Sequence, residues 1–174
     1  VLRKAVTQRR YFPLALLILP TVLTLTLGCG YSTGNMLPSH IKRIYIPTFG
    51  NETTKYGIEQ DITTVITEAF TNDNRLSVVS EGEADAVLHG VIVKYEKGAL
   101  TFDRAQTVDE FKIEITVAVE FEDLRDGKVL WKEDEFRAWE SYNETGEEGG
   151  ESEAVATAIQ TLARDMISRT FEGW

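Results

Sequence analysis

From Phe111 to Phe121 every second residue is apolar: Phe111, Ile113, Ile115, Val117, Val119 and Phe121 alternate with Lys112, Glu114, Thr116, Ala118 and Glu120. A period of two places one set on each face of a β-strand, so this segment has a core on one side and water on the other. Asp126-Gly127 follows at once. That pair is a strong hairpin signal, and residues 128–139 are expected to return antiparallel. A two-residue turn sets Phe121 opposite Lys132, whereas a three-residue loop with a bulge sets it opposite Trp131. The second register buries more aromatic surface and is preferred. Glu133 and Glu135 fit the core side of neither register, which calls for a further bulge in the returning strand.

The remaining elements arrange themselves around this hairpin. Residues 41–49 read as a strand, with Pro47 favouring a strand end or a sheet edge. Residues 50–57 read as a turn-rich loop. Ile58, Ile62, Val65, Ile66, Ala69 and Phe70 then recur at helical spacing on one face, and Asn72-Asp73-Asn74 ends the helix. A short strand is expected over 76–79 and a turn over 81–83. The run from Ala84 to Tyr95 is apolar in both parities for much of its length and predicts a central strand. A last helix, capped by Ser152, carries Val155, Ala158, Ile159, Leu162, Ala163, Met166 and Ile167 on one face. The order predicts an α+β fold over 41–174, two helices packed on one face of a four- to five-stranded mixed sheet.

Charge is segregated along the chain. No Asp or Glu precedes Glu52, and Arg3, Lys4, Arg9 and Arg10 lead into a mostly apolar stretch over 11–27. A basic start, a short apolar run interrupted by Pro13 and Pro20, and small residues around Cys29 have the layout of a secretory signal peptide, with Val1 expected to be an alternative start codon. The run is too short and broken for a spanning helix. Leu25-Thr26-Leu27-Gly28-Cys29 resembles a bacterial lipobox, with Thr26 where Leu is usual. On this reading 1–28 is a lipoprotein signal peptide, Cys29 receives diacylglycerol and an N-acyl chain, and 29–40 is a lipidated tether. Several acyl chains hold a protein on a membrane stably, while one alone is marginal. Gly30 stands where an inner-membrane retention signal would have Asp, which points to the outer membrane. Removal of 1–28 leaves 146 residues with formal charge −14.

Several function classes fall away. An acidic chain lacks the clustered Lys and Arg that nucleic-acid phosphates require. One cysteine among 174 residues makes no disulfide scaffold. There is no nucleophile elbow, no Cys-His pair, no phosphate-cradling glycine loop and no metal-ligand spacing, so the reading is non-enzymatic, with no cofactor and no metal. His89, alone within a strand, reads as a satisfied or partly buried histidine, and His40 lies in the tether. The acidic, glycine-rich stretch over 143–152 reads as a solvated loop, because it lacks calcium-loop spacing.

Taken in order, Gly28-Cys29-Gly30-Tyr31, Leu37-Pro38 with its Ile-rich strand, the first helix, Ala84-Asp85-Ala86-Val87-Leu88-His89-Gly90, Asp126-Gly127-Lys128-Val129-Leu130-Trp131 and a closing amphipathic helix carry a resemblance. The chain resembles the LptE-type lipopolysaccharide-assembly lipoproteins over residues 29–174. The resemblance implies a Gram-negative lipoprotein on the periplasmic face of the outer membrane. It would sit inside a large outer-membrane β-barrel of the lipopolysaccharide transport system, plugging it, assisting its assembly and supporting lipopolysaccharide insertion.

Family members are thought to contact lipopolysaccharide through basic residues, whereas a domain of charge −14 repels anionic lipid phosphates over a Debye length of about 8 Å. The candidates for a local exception are Lys94, Lys97 and Arg104, which bracket Gly98 at an expected strand-to-strand tip, with Lys42 and Arg43 near the first strand. Barrel plugging is therefore expected to dominate over lipid contact. A scaffold of another envelope complex and a small-ligand-binding lipoprotein remain as alternatives.

Overall fold

A computed structural model describes residues 37–105, 107–143 and 150–172. The expected signal peptide over 1–28, Cys29 and most of the expected 29–40 tether lie outside the described residues. The elements run β1 (Arg43–Tyr45), β2 (Gly50–Asn51), α1 (Ile58–Asp73), β3 (Ser77–Val78), a 3-10 turn (Glu81–Glu83), β4 (Ala86–Phe102), β5 (Val108–Asp123), β6 (Lys128–Tyr142) and α2 (Glu151–Glu172). The strand order is β3-β1-β4-β5-β6, with β2 paired to β4 further along the edge that β1 occupies. β1 runs parallel to β3 and β4, and β2 parallel to β4, while β4, β5 and β6 form an antiparallel meander.

The expected α+β mixed sheet with two helices is present, but it has six strands rather than four or five. The additional strand comes from the segment read as a loop after Phe49. The expected first strand is confined to the residues before Pro47: Ile44 and Tyr45 pair with Ala86 and Val87, and pairing with β4 resumes only in the expected loop, where Gly50 and Asn51 pair with Val91 and Ile92. Proline has no N–H to give a ladder, so the pairing lapses and resumes beyond it. β4 is central as expected but runs on to Phe102, well past Tyr95.

The core lies between one sheet face and the two helices. Ile58, Ile62, Ile66 and Phe70 of α1 are buried, as are Ala158, Ile159, Leu162, Ala163 and Met166 of α2. They meet Leu88, Ile92, Ile113, Ile115, Val117, Val119 and Phe121 of the sheet in one cluster. Each fully buried Ile, Leu or Phe contributes about 1.5–3 kcal/mol, so this face is the chief source of stability. Gly90 allows it to close: a Cβ there would stand 2.1 Å from the ring of Phe49, which lies directly over the strand.

The β5–β6 register is the bulged one. Phe121 stands opposite Trp131, with a register shift between Phe121 and Glu122 that leaves Leu130 as the extra residue. The connection differs from the expected three residues, since Asp123 pairs with Lys128 across a four-residue turn. Gly127 takes φ +60° there, a conformation that side chains rarely adopt. A second shift, between Val117 and Val119, spans Asp134 and Glu135 and takes Glu135 out of the core parity, whereas Glu133 stays half-buried opposite core residue Val119. Ser152 does not cap α2. The helix begins one residue earlier at Glu151, and the Gly150 carbonyl accepts the amides of Glu153 and Ala154. His89 is exposed rather than satisfied or partly buried, because its parity puts it on the sheet face that no helix covers.

Candidate functional site

β4 and β5 outrun the rest of the sheet. β6 ends at Tyr142, opposite Phe111, whereas β4 and β5 continue to the Phe102–Val108 pair. The tip is tied by Asp103: its Oδ1 accepts the amides of Ala105 and Thr107 at 2.8 and 2.9 Å, and its own amide donates to the Thr107 carbonyl. Gly98 lies within the strand, so the tip sits five to nine residues beyond the position expected from sequence. Leu100 is exposed on this projecting ribbon, and Phe102 is 63% exposed.

The three candidate cations do not converge. Lys94 pairs with Thr116 and Lys97 with Ile113, residues of opposite parity in β5, so the two lysines lie on opposite faces of the sheet. Lys94 Nζ is 2.9 Å from Glu96 Oε2 on the open face. Arg104 is exposed at the tip. Arg43 is committed to Asp85, whose Oδ1 takes its Nη2 at 2.8 Å and whose Oδ2 accepts the amides of Lys42 and Arg43. Those bonds hold the Asp85 carboxyl at about 2, well below the usual carboxylate value, the Arg43 guanidinium being the largest cause. The Asp85-to-Gly90 stretch thus has two physical tasks, clamping β1 and admitting Phe49.

Lys97 belongs to a constellation that the sequence did not disclose. It points toward the helix side, where Glu151 begins α2. Glu151 Oε1 accepts from Lys55 Nζ at 3.0 Å and from the Tyr95 hydroxyl at 3.1 Å, while Oε2 accepts from Lys97 Nζ at 3.2 Å. Lys97 Nζ also lies 4.9 Å from the Phe111 ring centroid and 5.3 Å from that of Tyr142, two rings stacked at 5.7 Å. Asn51 shapes the loop that delivers Lys55, accepting from Thr53 and donating to the Lys55 carbonyl and to Glu59. The hydrogen bonds from Lys55 and then Lys97 outweigh desolvation and hold the Glu151 carboxyl at about 2. Burial, and then the Glu151 carboxylate, push the Tyr95 hydroxyl up. Glu151 had the signature of a solvated loop acid; only packing brings Lys55 and Lys97 to it.

The open sheet face is mixed in charge. Lys112 pairs with Glu114 at 2.5 Å and lies 5.2 Å from the ring centroid of Trp139, which is 56% exposed. Arg137 pairs with Glu135, and Lys132 bridges Glu120 and Asp134 at 3.7 and 3.3 Å. A shallow cleft on this face has a floor at Val91 and Ala118 and a rim of His89, Glu120, Lys132 and Asp134. Among the described residues no helix is long and apolar enough to cross a membrane. These contacts form a scaffold with a projecting ribbon and one polar face, and no nucleophile-base pair is evident in the interactions just described.

Two helices on one face of a sheet built from short parallel strands and a long antiparallel meander define a fold class found in solved bacterial proteins. One is a minor lipoprotein from Acinetobacter baumannii, at 18% identity and TM-score 0.50, covering 75% of this chain and 90% of that one. Another is the hypothetical protein CT253 from Chlamydia trachomatis, at 12% identity and TM-score 0.53, covering 74% and 95%. At such identities the likeness shows the fold alone. The family follows from the sequence model: residues 41–170 match the LptE lipopolysaccharide-assembly model, and the chain belongs to the LptE family. No curated protein matches the chain.

Proposed function

We propose that this protein is an outer-membrane lipoprotein, anchored on the periplasmic face through acyl chains on Cys29, that plugs a large β-barrel lipopolysaccharide translocon and assists its assembly. The observation that carries the proposal is the family match across 41–170, which takes in β1 through nearly all of α2. The charge distribution favours plugging over lipid capture as the main task. Lys94, Lys97 and Arg43 are each engaged by a carboxylate of the same chain. Binding lipopolysaccharide through them requires exchanging those partners inside a domain of net negative charge. The ribbon with exposed Leu100 and Phe102, and the open face with Trp139, offer the barrel wall a mixed apolar and polar surface of the sort that protein interfaces use.

The test is depletion of the protein in its host, followed by an assay of lipopolysaccharide at the cell surface and recovery of the mature barrel. Surface lipopolysaccharide and barrel should fall together, and the tagged protein should co-purify with the barrel. Failure to co-purify overturns the plug role.

A further inference from the structure

Asp123 is a buried carboxylate, 2% exposed, in a position where the alternating pattern of β5 has already delivered its last core residue, Phe121. Its Oδ1 accepts the amide of Arg125 at 2.9 Å and, at longer range, that of Asp126 at 3.4 Å, so the β5–β6 turn holds the carboxylate in one orientation. Its Oδ2 lies 2.8 Å from Nε2 of His40, a residue 83 positions earlier in the segment that leads into the domain. The carboxylate of exposed Asp126 completes the group: one ligand atom from each of His40, Asp123 and Asp126 lies within 4.8 Å of the others.

We propose that His40, Asp123 and Asp126 form a site for one divalent transition-metal ion of the zinc type, which clasps the entering segment to the β5–β6 turn. Imidazole nitrogen and carboxylate oxygen are both good zinc ligands at about 2.0–2.2 Å, with neighbouring donors roughly 3.3 Å apart in a tetrahedron. The His40–Asp123 pair reaches that spacing by opening a few tenths of an ångström, and rotation of the exposed Asp126 side chain supplies the third donor. Water fills the fourth position. A neutral imidazole and two carboxylates carry two negative charges, which a divalent ion cancels. The Arg125 and Asp126 amides on Oδ1 supply the outer hydrogen bonds that orient a ligating carboxylate. Lys128, opposite Asp123 in register, weakens the site relative to a closed structural zinc centre. Magnesium, which prefers an octahedron of oxygens, fits poorly. Because His40 closes the proposed tether, the ion would pin the start of the described domain to the β5–β6 turn.

The experiment is calorimetric titration of the full native chain in detergent with zinc chloride, alongside thermal unfolding with and without the ion. One zinc per chain is expected, with a rise in Tm and no comparable response to magnesium. Asp126→Asn removes a ligand without touching the buried pair, and His40→Gln removes the nitrogen. Each should weaken zinc binding tenfold or more, while Asp134→Asn, an exposed acid on the open face, leaves it unchanged. Absence of one-to-one binding, or equal affinity in Asp126→Asn, overturns the proposal. Both outcomes are independent of lipopolysaccharide assembly.

Discussion

Phe121 of β5 and Trp131 of β6 face each other across the sheet with ring centroids 6.2 Å apart and planes tilted by 40°. Trp131 also lies 6.5 Å from Phe136, so it joins the register-setting pair to the far side of the second bulge. Truncation to Ala should cost about 3–5 kcal/mol, as for other large aromatic deletions in a packed core. Trp131→Phe should cost much less, because it also removes an indole N–H that is buried without an acceptor. Denaturant unfolding measures both, and Trp139→Ala, on the exposed face, should stay within about 0.5 kcal/mol of the parent.

Acid should weaken the fold through two clamps. Asp85 and Glu151 both titrate near 2 in the folded chain, below their ordinary values of 3.8 and 4.5. A carboxyl whose folded pKa is depressed contributes stability that is complete above its unfolded pKa. That contribution disappears as pH falls through the interval down to about 2. The Glu151 pairs are partly solvent-screened, so each clamp should contribute about 1 kcal/mol. Asp85→Asn and Glu151→Gln should lower stability near neutrality and flatten its acid dependence. Chemical unfolding as a function of pH reads the slope, and an unchanged slope in both variants would refute the assignment.

Gly90→Ala should destabilise by about 1–3 kcal/mol, the usual cost of overpacking, because the new methyl has nowhere to go but into the ring of Phe49. Adding Phe49→Leu should recover part of the loss. A double-mutant cycle on Tm or unfolding free energy measures that coupling.

Cys29→Ser should abolish acylation and release the chain from the membrane fraction. Mass spectrometry of the native protein, with detergent phase partitioning, checks both. The parent should carry several acyl chains, since a single chain binds a bilayer only marginally.

Leu100→Ser with Phe102→Ser, on the projecting ribbon, should change unfolding free energy by less than about 1 kcal/mol because both residues are exposed. If the proposed barrel is the partner, the same double variant should reduce its co-purification. Normal recovery of the barrel would remove the ribbon from the contact surface.

Much of this architecture was legible before any coordinates. Periodicity identified both helices, because burial of one face at 3.6-residue spacing leaves a mark on every turn. It also identified β5 and its hairpin, down to the Phe121–Trp131 register, because aromatic burial and the parity of an alternating strand admit few solutions. Of the short parallel strands, β1 and β3 are legible in the apolar runs at 41–49 and 76–79, but β2 leaves no such trace. β2 is two residues long and exists through its pairing with β4, so it read as a loop. Ser152 lies inside α2 rather than at its cap, because the helix already starts at Glu151, where the carboxylate meets Lys55 and Lys97.

The sequence by itself determined the fold class, the hairpin register and the family, since each is written in local spacing or in an ordered set of motifs. Only the tertiary structure decided which charges meet. Lys94 and Lys97 are three residues apart yet face opposite sides of a sheet, whereas Lys97 and Glu151, 54 apart, touch. His40 and Asp123 meet across 83 residues for the same reason. A charge pair depends on distances of a few ångströms in space, and separation along the chain carries almost no information about them until the core has closed.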